Sequence, residues 1–231
     1  MKFVHKLLWL LPCVCCFSQS VHGKDFYTTF AKGKWDRSLW FEAKSARFNY
    51  MGKMVQFDDH IMNKVPDLPD DVIFKKYASS VYSCIMLHQK YQMPGNISCT
   101  MSFDHRMAPL IVLAKNMGKS KKGEAEQREH YEIVLYDEGI NVWHHYYKDN
   151  KPIYRRAAFL NAKFLPRKKY NLQVRVRKDR KGKYMEVECD GQKFGFMDES
   201  LPETFYVGII GCEGRNRFYD FGFRTPEVKK K

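Results

Sequence analysis

The densest run of side chains able to do chemistry is Asn141-Val-Trp-His-His-Tyr-Tyr147, followed shortly by Arg155 and Arg156. Successive side chains of a strand point to opposite faces. Read that way, Asn141, Trp143, His145 and Tyr147 share one face, and Ile140, Val142, His144 and Tyr146 share the other. The second set is the more apolar and is expected to face the core, with His144 hydrogen-bonded near its edge. The first set combines an aromatic platform, an amide and an imidazole. Sugar rings stack their axial C–H groups on Trp and Tyr faces, and an amide satisfies hydroxyls. The competing reading is a plain sheet face on which Trp143 and Tyr147 fill gaps. A chain reversal over Lys148–Pro152, with Asp149-Asn150 as its turn, is expected to pair Ile153 to Phe159 alongside. Arg155 or Arg156 would then come within reach of the Trp143 face.

The same residue types suit an elimination reaction. Breaking a chain across a uronic acid requires neutralising the carboxylate, removing the C5 proton and protonating the leaving oxygen. Arg155, Arg156 or Asn141 could do the first, and His145 or Tyr147 the other two. The catalytic candidates are therefore His145, Tyr147 and Arg155. The ligand-binding candidates are Asn141, Trp143, His145, Tyr147, Arg155 and Arg156.

Other constellations carry less. Glu186 and Glu188 share a strand face and resemble an acid pair, but Arg175 lies across the predicted hairpin from Glu186, so a cross-strand charge ladder is favoured. Glu213-Gly-Arg-Asn-Arg217 is a polar loop that could touch a ligand at a rim, with a structural turn as the favoured reading. Asp58-Asp59-His60 offers oxygen ligands without the Gly-punctuated loop of a dedicated calcium site, so structural calcium is unsupported. With no Cys-x-x-Cys pair and no histidine cluster at ligand spacing, neither a metal nor a cofactor is expected. Cys84, Cys99, Cys189 and Cys212 are expected as buried thiols, since Cys99 and Cys189 alternate with apolar neighbours; their disulfide pairing is left open.

The elements that position these residues follow a period of two, with no long helical stretch. Strands are predicted over Leu39–Tyr50, Val81–Tyr91, Asn96–Asp104, Leu110–Ala114, Tyr131–Asp137, Ile140–Tyr147, Asn171–Lys178, Lys183–Cys189, Phe205–Ile210 and Arg217–Arg224. Turn signals such as Pro94-Gly95, Asp137-Glu138-Gly139 and Asp190-Gly191 separate them. Val65–Lys76 reads as a loop with one helical turn, and Asn116–Arg128 as a solvated loop. Many short strands at this spacing describe an all-β, two-sheet antiparallel sandwich or jelly roll.

The first residues read as a secretory signal: Lys2 and Lys6, an apolar run from Leu7 to Phe17, and a small-residue cleavage pattern at Val21-His22-Gly23. A lipoprotein signal at Cys13, Cys15 or Cys16 is less favoured, for want of a convincing lipobox. Residues 24–231 are expected to form one β-sandwich domain, with 24–38 and 225–231 peripheral. The protein is then expected to be secreted, periplasmic or at the cell surface, with no transmembrane segment. Forty Lys and Arg against 26 Asp and Glu give a formal charge of +14. That excess points to a polyanionic partner. The basic residues are spread along the chain without a recognition motif, so nucleic acid is not the expected partner.

The stretch Tyr170-Asn-Leu-Gln-Val-Arg-Val, then Lys183-Tyr-Met-Glu-Val-Glu-Cys-Asp-Gly191, resembles the late hairpin of concanavalin A-like lectin/glucanase domains. So do the endings Val207-Gly-Ile-Ile-Gly211 and Arg217-Phe-Tyr-Asp-Phe-Gly-Phe223. Asn96–Phe103 with Pro109-Leu-Ile-Val-Leu113 is similar to the paired strands of laminin G-like members. The chain also resembles uncharacterised secreted bacterial proteins of polysaccharide use. The resemblance implies two packed antiparallel sheets, with glycans often held on the concave face or rim, and it hosts binders and enzymes alike. The Arg-x-Glu-x-Arg and Gln-x-His signatures of jelly-roll alginate lyases are absent. The expectation is a polysaccharide-binding sandwich, its glycan acidic; the alternative is a polysaccharide-degrading enzyme on the same fold, a lyase before a hydrolase. Whether the chain is an enzyme, and its oligomeric state, stay open.

Overall fold

The computed structural model describes residues 25–48 and 50–226. The targeting segment read over residues 1–23 lies outside them. Two large antiparallel sheets face each other. The seven-stranded sheet runs in the order Lys151–Asn161, Gly139–Lys148, His130–Tyr136, Met107–Ala114, Thr204–Cys212, Tyr82–Gln92, Trp40–Glu42. The nine-stranded sheet is built on Gln192–Met197, Gly182–Cys189, Tyr170–Asp179, Gly95–Phe103, Asn216–Phe218, Ile61–Asn63 and Met54–Gln56, with Asp220–Arg224 and Phe26–Thr29 joined through Gly95–Phe103. Among the described residues no helix is long and apolar enough to cross a membrane.

Alternation decides which side chains meet between the sheets. Tyr131, Ile133, Leu135, Ile140, Val142, Ile111 and Leu113 from one sheet pack against Ile97, Cys99, Met101, Leu172, Val174, Met185 and Val187 from the other. Each such side chain removed from water contributes about 1.5–3 kcal/mol. A second, smaller apolar cluster lies on the opposite face of the seven-stranded sheet: Cys84, Met86, Leu110, Val112, Ala114, Ile210 and Cys212, with Ala43, Phe48 and Tyr82. A three-stranded sheet of Lys44–Ser45, Ala125–Gln127 and Met117–Lys119 accompanies it. Met107–Ala114 is consequently buried on both faces, which accounts for its unbroken apolar run.

The hairpin Tyr170–Asp179 with Gly182–Cys189 pairs Arg175 with Glu186. Arg175 donates to Glu186 at 2.7 Å and to Glu188 at 2.8 Å, so those two glutamates belong to a charge ladder. The Asp149-Asn150 turn exists, with positive φ of 51° and 59°, as a two-residue hairpin turn requires. Cys84, Cys99, Cys189 and Cys212 are free and buried.

Several expectations need correction. Of the segment 24–38, the described residues are not peripheral: Phe26–Thr29 pairs with Asp220–Arg224, and Phe30 is fully buried. At the other end of the chain, the Thr225 amide donates to Asp25 at 2.9 Å. Leu39–Tyr50 is no single strand but two short ones, Trp40–Glu42 and Lys44–Ser45, which join different sheets. Asn116–Arg128 contains two short strands rather than only a loop.

Candidate functional site

The functional candidates gather on the outer face of the seven-stranded sheet, the side away from the sandwich core. His130–Tyr136 and Gly139–Lys148 form a hairpin whose register sets His130 opposite His145, Glu132 opposite Trp143 and Val134 opposite Asn141. Since Tyr131, Ile133 and Leu135 point into the core, His130 and Glu132 must point outward. Packing around them is nonetheless tight: Glu132 is only 2% exposed.

A buried carboxylate is costly unless it is paired. Glu132 Oε2 lies 3.2 Å from His145 Nε2, and Oε1 lies 3.4 Å from His130 Nε2. The two imidazoles stack, with centroids 4.5 Å apart and planes 11° from parallel. Burial pushes the Glu132 carboxyl up, but His145 and His130 outweigh it and hold the group well below the usual carboxylate range. Burial lowers His130 despite its Glu132 neighbour. His130 Nδ1 is 3.4 Å from the Arg128 carbonyl. That contact orients the ring with Nε2 toward Glu132. His130, Glu132 and His145 together place one ligand atom each within 4.8 Å of the others. The sequence expectation of no such cluster is therefore corrected: the register assembles it from positions fifteen apart, outside any linear ligand spacing.

Glu132 and His145 form part of the wall of a cavity of about 350 Å³, with Asn141, Trp143, Tyr154, Arg47 and Glu213 around them. The Trp143 and Tyr154 rings meet edge to face at 6.2 Å, and Tyr154 also lies 5.8 Å from the His145 ring. Tyr154 is 61% exposed, so its ring is free to meet an incoming ligand. Arg47 forms an ion pair with Glu213 across this cavity. Burial raises the Glu213 carboxyl even against the pull of Arg47. One cavity thus holds a carboxylate kept ionised and a second one pushed toward its neutral form.

A small pocket of about 50 Å³ shares Arg47, His145 and Tyr154 with this cavity, and shares Arg128, Tyr147 and Pro152 with a groove of about 610 Å³. That groove is lined by Lys44, Lys119, Lys121 and Lys122 as well. Lys44 faces Glu124 at 3.8 Å and Arg128 faces Glu126 at 3.1 Å. Among the described residues Lys119, Lys121 and Lys122 have no acidic partner.

Of the residues singled out from sequence, the structure brings Asn141, Trp143 and His145 to one cavity. Tyr147 stands further along, lining the small pocket and the lysine groove and donating to Glu126 at 3.1 Å under the Arg128 guanidinium. Arg155 is corrected in its placement: it pairs with His144 in the register, away from the Trp143 face, and is ion-paired to Asp198; with Tyr147 and Arg128 it lines a separate groove of about 690 Å³. Arg156 does lie opposite Trp143, but a register shift follows it, and its guanidinium sits over Phe159 at 4.4 Å. His144 is not hydrogen-bonded as expected. It stacks on Tyr131 at 4.4 Å with neither ring nitrogen hydrogen-bonded, Nε2 lying 3.6 Å from the Glu129 carboxylate.

Sequence reasoning missed Glu132, His130, Arg47 and Tyr154. A signal existed for the first two: His130-x-Glu132 is polar at alternate positions of a strand whose other face is Tyr131, Ile133 and Leu135. Arg47 gave none, because it arrives from 166 residues before Glu213.

No family model matches the chain, and no curated protein matches it. Solved structures do match at the level of fold. A seed lectin of Lotus tetragonolobus is 10% identical at a TM-score of 0.57, over 89% of this chain and 100% of the lectin. A carbohydrate-binding module of Bacillus subtilis is 11% identical at 0.52, over 78% of this chain and 98% of the module. A β-glucanase of Bacillus licheniformis is 12% identical at 0.51, over 89% and 99%. The fold is that of the concanavalin A-like lectins and glucanases, an antiparallel jelly-roll sandwich.

Proposed function

We propose that this protein is a secreted binder of an acidic polysaccharide, held along the outer face of the seven-stranded sheet. The observation that carries the reading is the nearness of the Trp143–Tyr154 cavity to the Lys119–Lys121–Lys122 groove, both of which share lining residues with one small pocket between them. Aromatic edges and the Asn141 amide at one end suit a sugar ring and its hydroxyls. Lysines without acidic partners at the other suit carboxylate or sulfate groups on the following residues. Fold-level likeness to lectins and to a carbohydrate-binding module agrees with this, though a fold by itself hosts many functions.

Affinity electrophoresis through gels containing an acidic or a neutral polysaccharide tests it. Retardation is expected with the acidic polymer and should weaken as salt rises, because exposed charges are screened beyond about 8–10 Å at physiological strength. Replacing Lys119, Lys121 and Lys122 by Ser together should remove most of the salt dependence. Equal mobility in every gel, with the protein folded, would sink the proposal.

Degradation of the same glycan is the second reading. It is favoured by the convergence of Arg47, Asn141 and Tyr154 on one cavity. Arg47 has five donors and need not surrender Glu213 to share a uronate carboxylate. The Tyr154 phenol is placed to exchange a proton with the sugar. An unsaturated product absorbing in the far ultraviolet would establish elimination, new reducing ends without it would establish hydrolysis, and neither would leave binding alone.

A further inference from the structure

We propose that His130 Nε2, the Glu132 carboxylate and His145 Nε2 form a site for one divalent transition-metal ion of the zinc class, open on its cavity side. Two imidazoles and a carboxylate are a common ligand set for such ions when one position is kept for water or substrate. Two of the three spacings fit as they stand. Bonds of about 2.0–2.2 Å in a tetrahedral arrangement put ligand atoms roughly 3.3–3.5 Å apart; the two His–Glu separations are 3.4 and 3.2 Å, and all three ligand atoms lie within 4.8 Å of one another. Rigid placement comes from the sheet. His130 and Glu132 are two apart on one strand, and His145 is directly opposite His130 on the next.

Two further observations point to a ligand. His145 is 6% exposed, and its Nε2 has no hydrogen-bond partner although it faces the Glu132 carboxylate. His130 is oriented through its other nitrogen by the Arg128 carbonyl, as metal-binding histidines usually are. Bringing both imidazoles onto one ion requires one ring to turn out of the parallel stack about χ2, a broad torsion. The nearby Arg47 is ion-paired with Glu213 and also acts electrostatically on Glu132, so Glu213 offsets only part of its charge. Calcium is a poor fit, because it takes six to eight oxygen ligands.

The test needs only the full chain without a purification tag, stripped with a chelator and titrated with Zn²⁺ by calorimetry and with Co²⁺ by visible absorption. One equivalent should bind, and Co²⁺ should give the intense d–d bands of a four- or five-coordinate site. Glu132→Gln and His145→Ala should each weaken binding by about 100-fold or more, whereas His144→Ala, on the other face of the strand, should leave it within about twofold. Should a variant fail to fold, the Co²⁺ spectrum of the unaltered chain still decides. Absence of saturable binding, an octahedral aquo-like spectrum, or affinity unchanged in both variants would overturn the proposal and leave a hydrogen-bonded charge cluster. Binding of metal alone is read here, so this result is independent of whether a glycan is bound.

Discussion

Replacing Trp143 by Ala separates a ligand-contacting aromatic from a structural one. Trp143 is half-buried: one part packs edge-on to Tyr154 and the sheet, and the rest lines the cavity beside Asn141 and His145. Truncating a fully buried Trp typically costs about 3–5 kcal/mol. With most of the residue already out of water, the loss of stability should be about 2 kcal/mol. A buried aromatic covers roughly 150–250 Å², so a stacked sugar would cover at most about 50–90 Å² of what remains exposed. At about 25 cal/mol per Å² that contact contributes about 1–2 kcal/mol, or roughly 10- to 40-fold in Kd. Urea unfolding read by circular dichroism, beside affinity electrophoresis on the polymer that retards the unaltered protein, measures both quantities. A stability loss beyond about 3 kcal/mol with unchanged binding would refute the reasoning and make Trp143 a core residue.

Two other outcomes follow from the geometry. Burial raises the Asp198 carboxyl, but the Ser200 amide and Arg155 outweigh it and hold the pKa below its ordinary value of 3.8. The group contributes stability above the unfolded value and loses it as pH falls through the folded one. Asp198→Asn should thus lower Tm at pH 7 by a few degrees, a gap that narrows as pH falls below 3.8, in paired thermal melts; a gap of constant size on acidification would contradict this. Cys84, Cys99, Cys189 and Cys212 are buried, and burial pushes the Cys189 thiol up to about 12. Thiolates react and thiols do not, so mass spectrometry of peptides after alkylation should find these four unmodified in the folded protein and modified in denaturant.

What the sequence by itself determined is whatever a local period of two can carry. Alternation in Ile140–Tyr147 separated Asn141, Trp143 and His145 from Val142 and His144, and the two sets do face opposite ways. It placed Arg175 across from Glu186 for the same reason, since a short turn leaves one register open to a directly opposed charge pair. The sandwich itself was legible because both inner faces declare themselves strand by strand. Local pattern lost its hold wherever a partner came from elsewhere in the chain. Arg155 looked close to His145 in number, yet the pairing sends it to the other face, where Asp198 holds it. Glu132 looked like an ordinary outward charge on a strand. Only the tertiary structure decided that it is buried, because His130 on its own strand is joined around it by His145, Arg47 and Glu213 from three other stretches of chain. Burial is a property of everything packed around a residue, and no alternation within one strand records it.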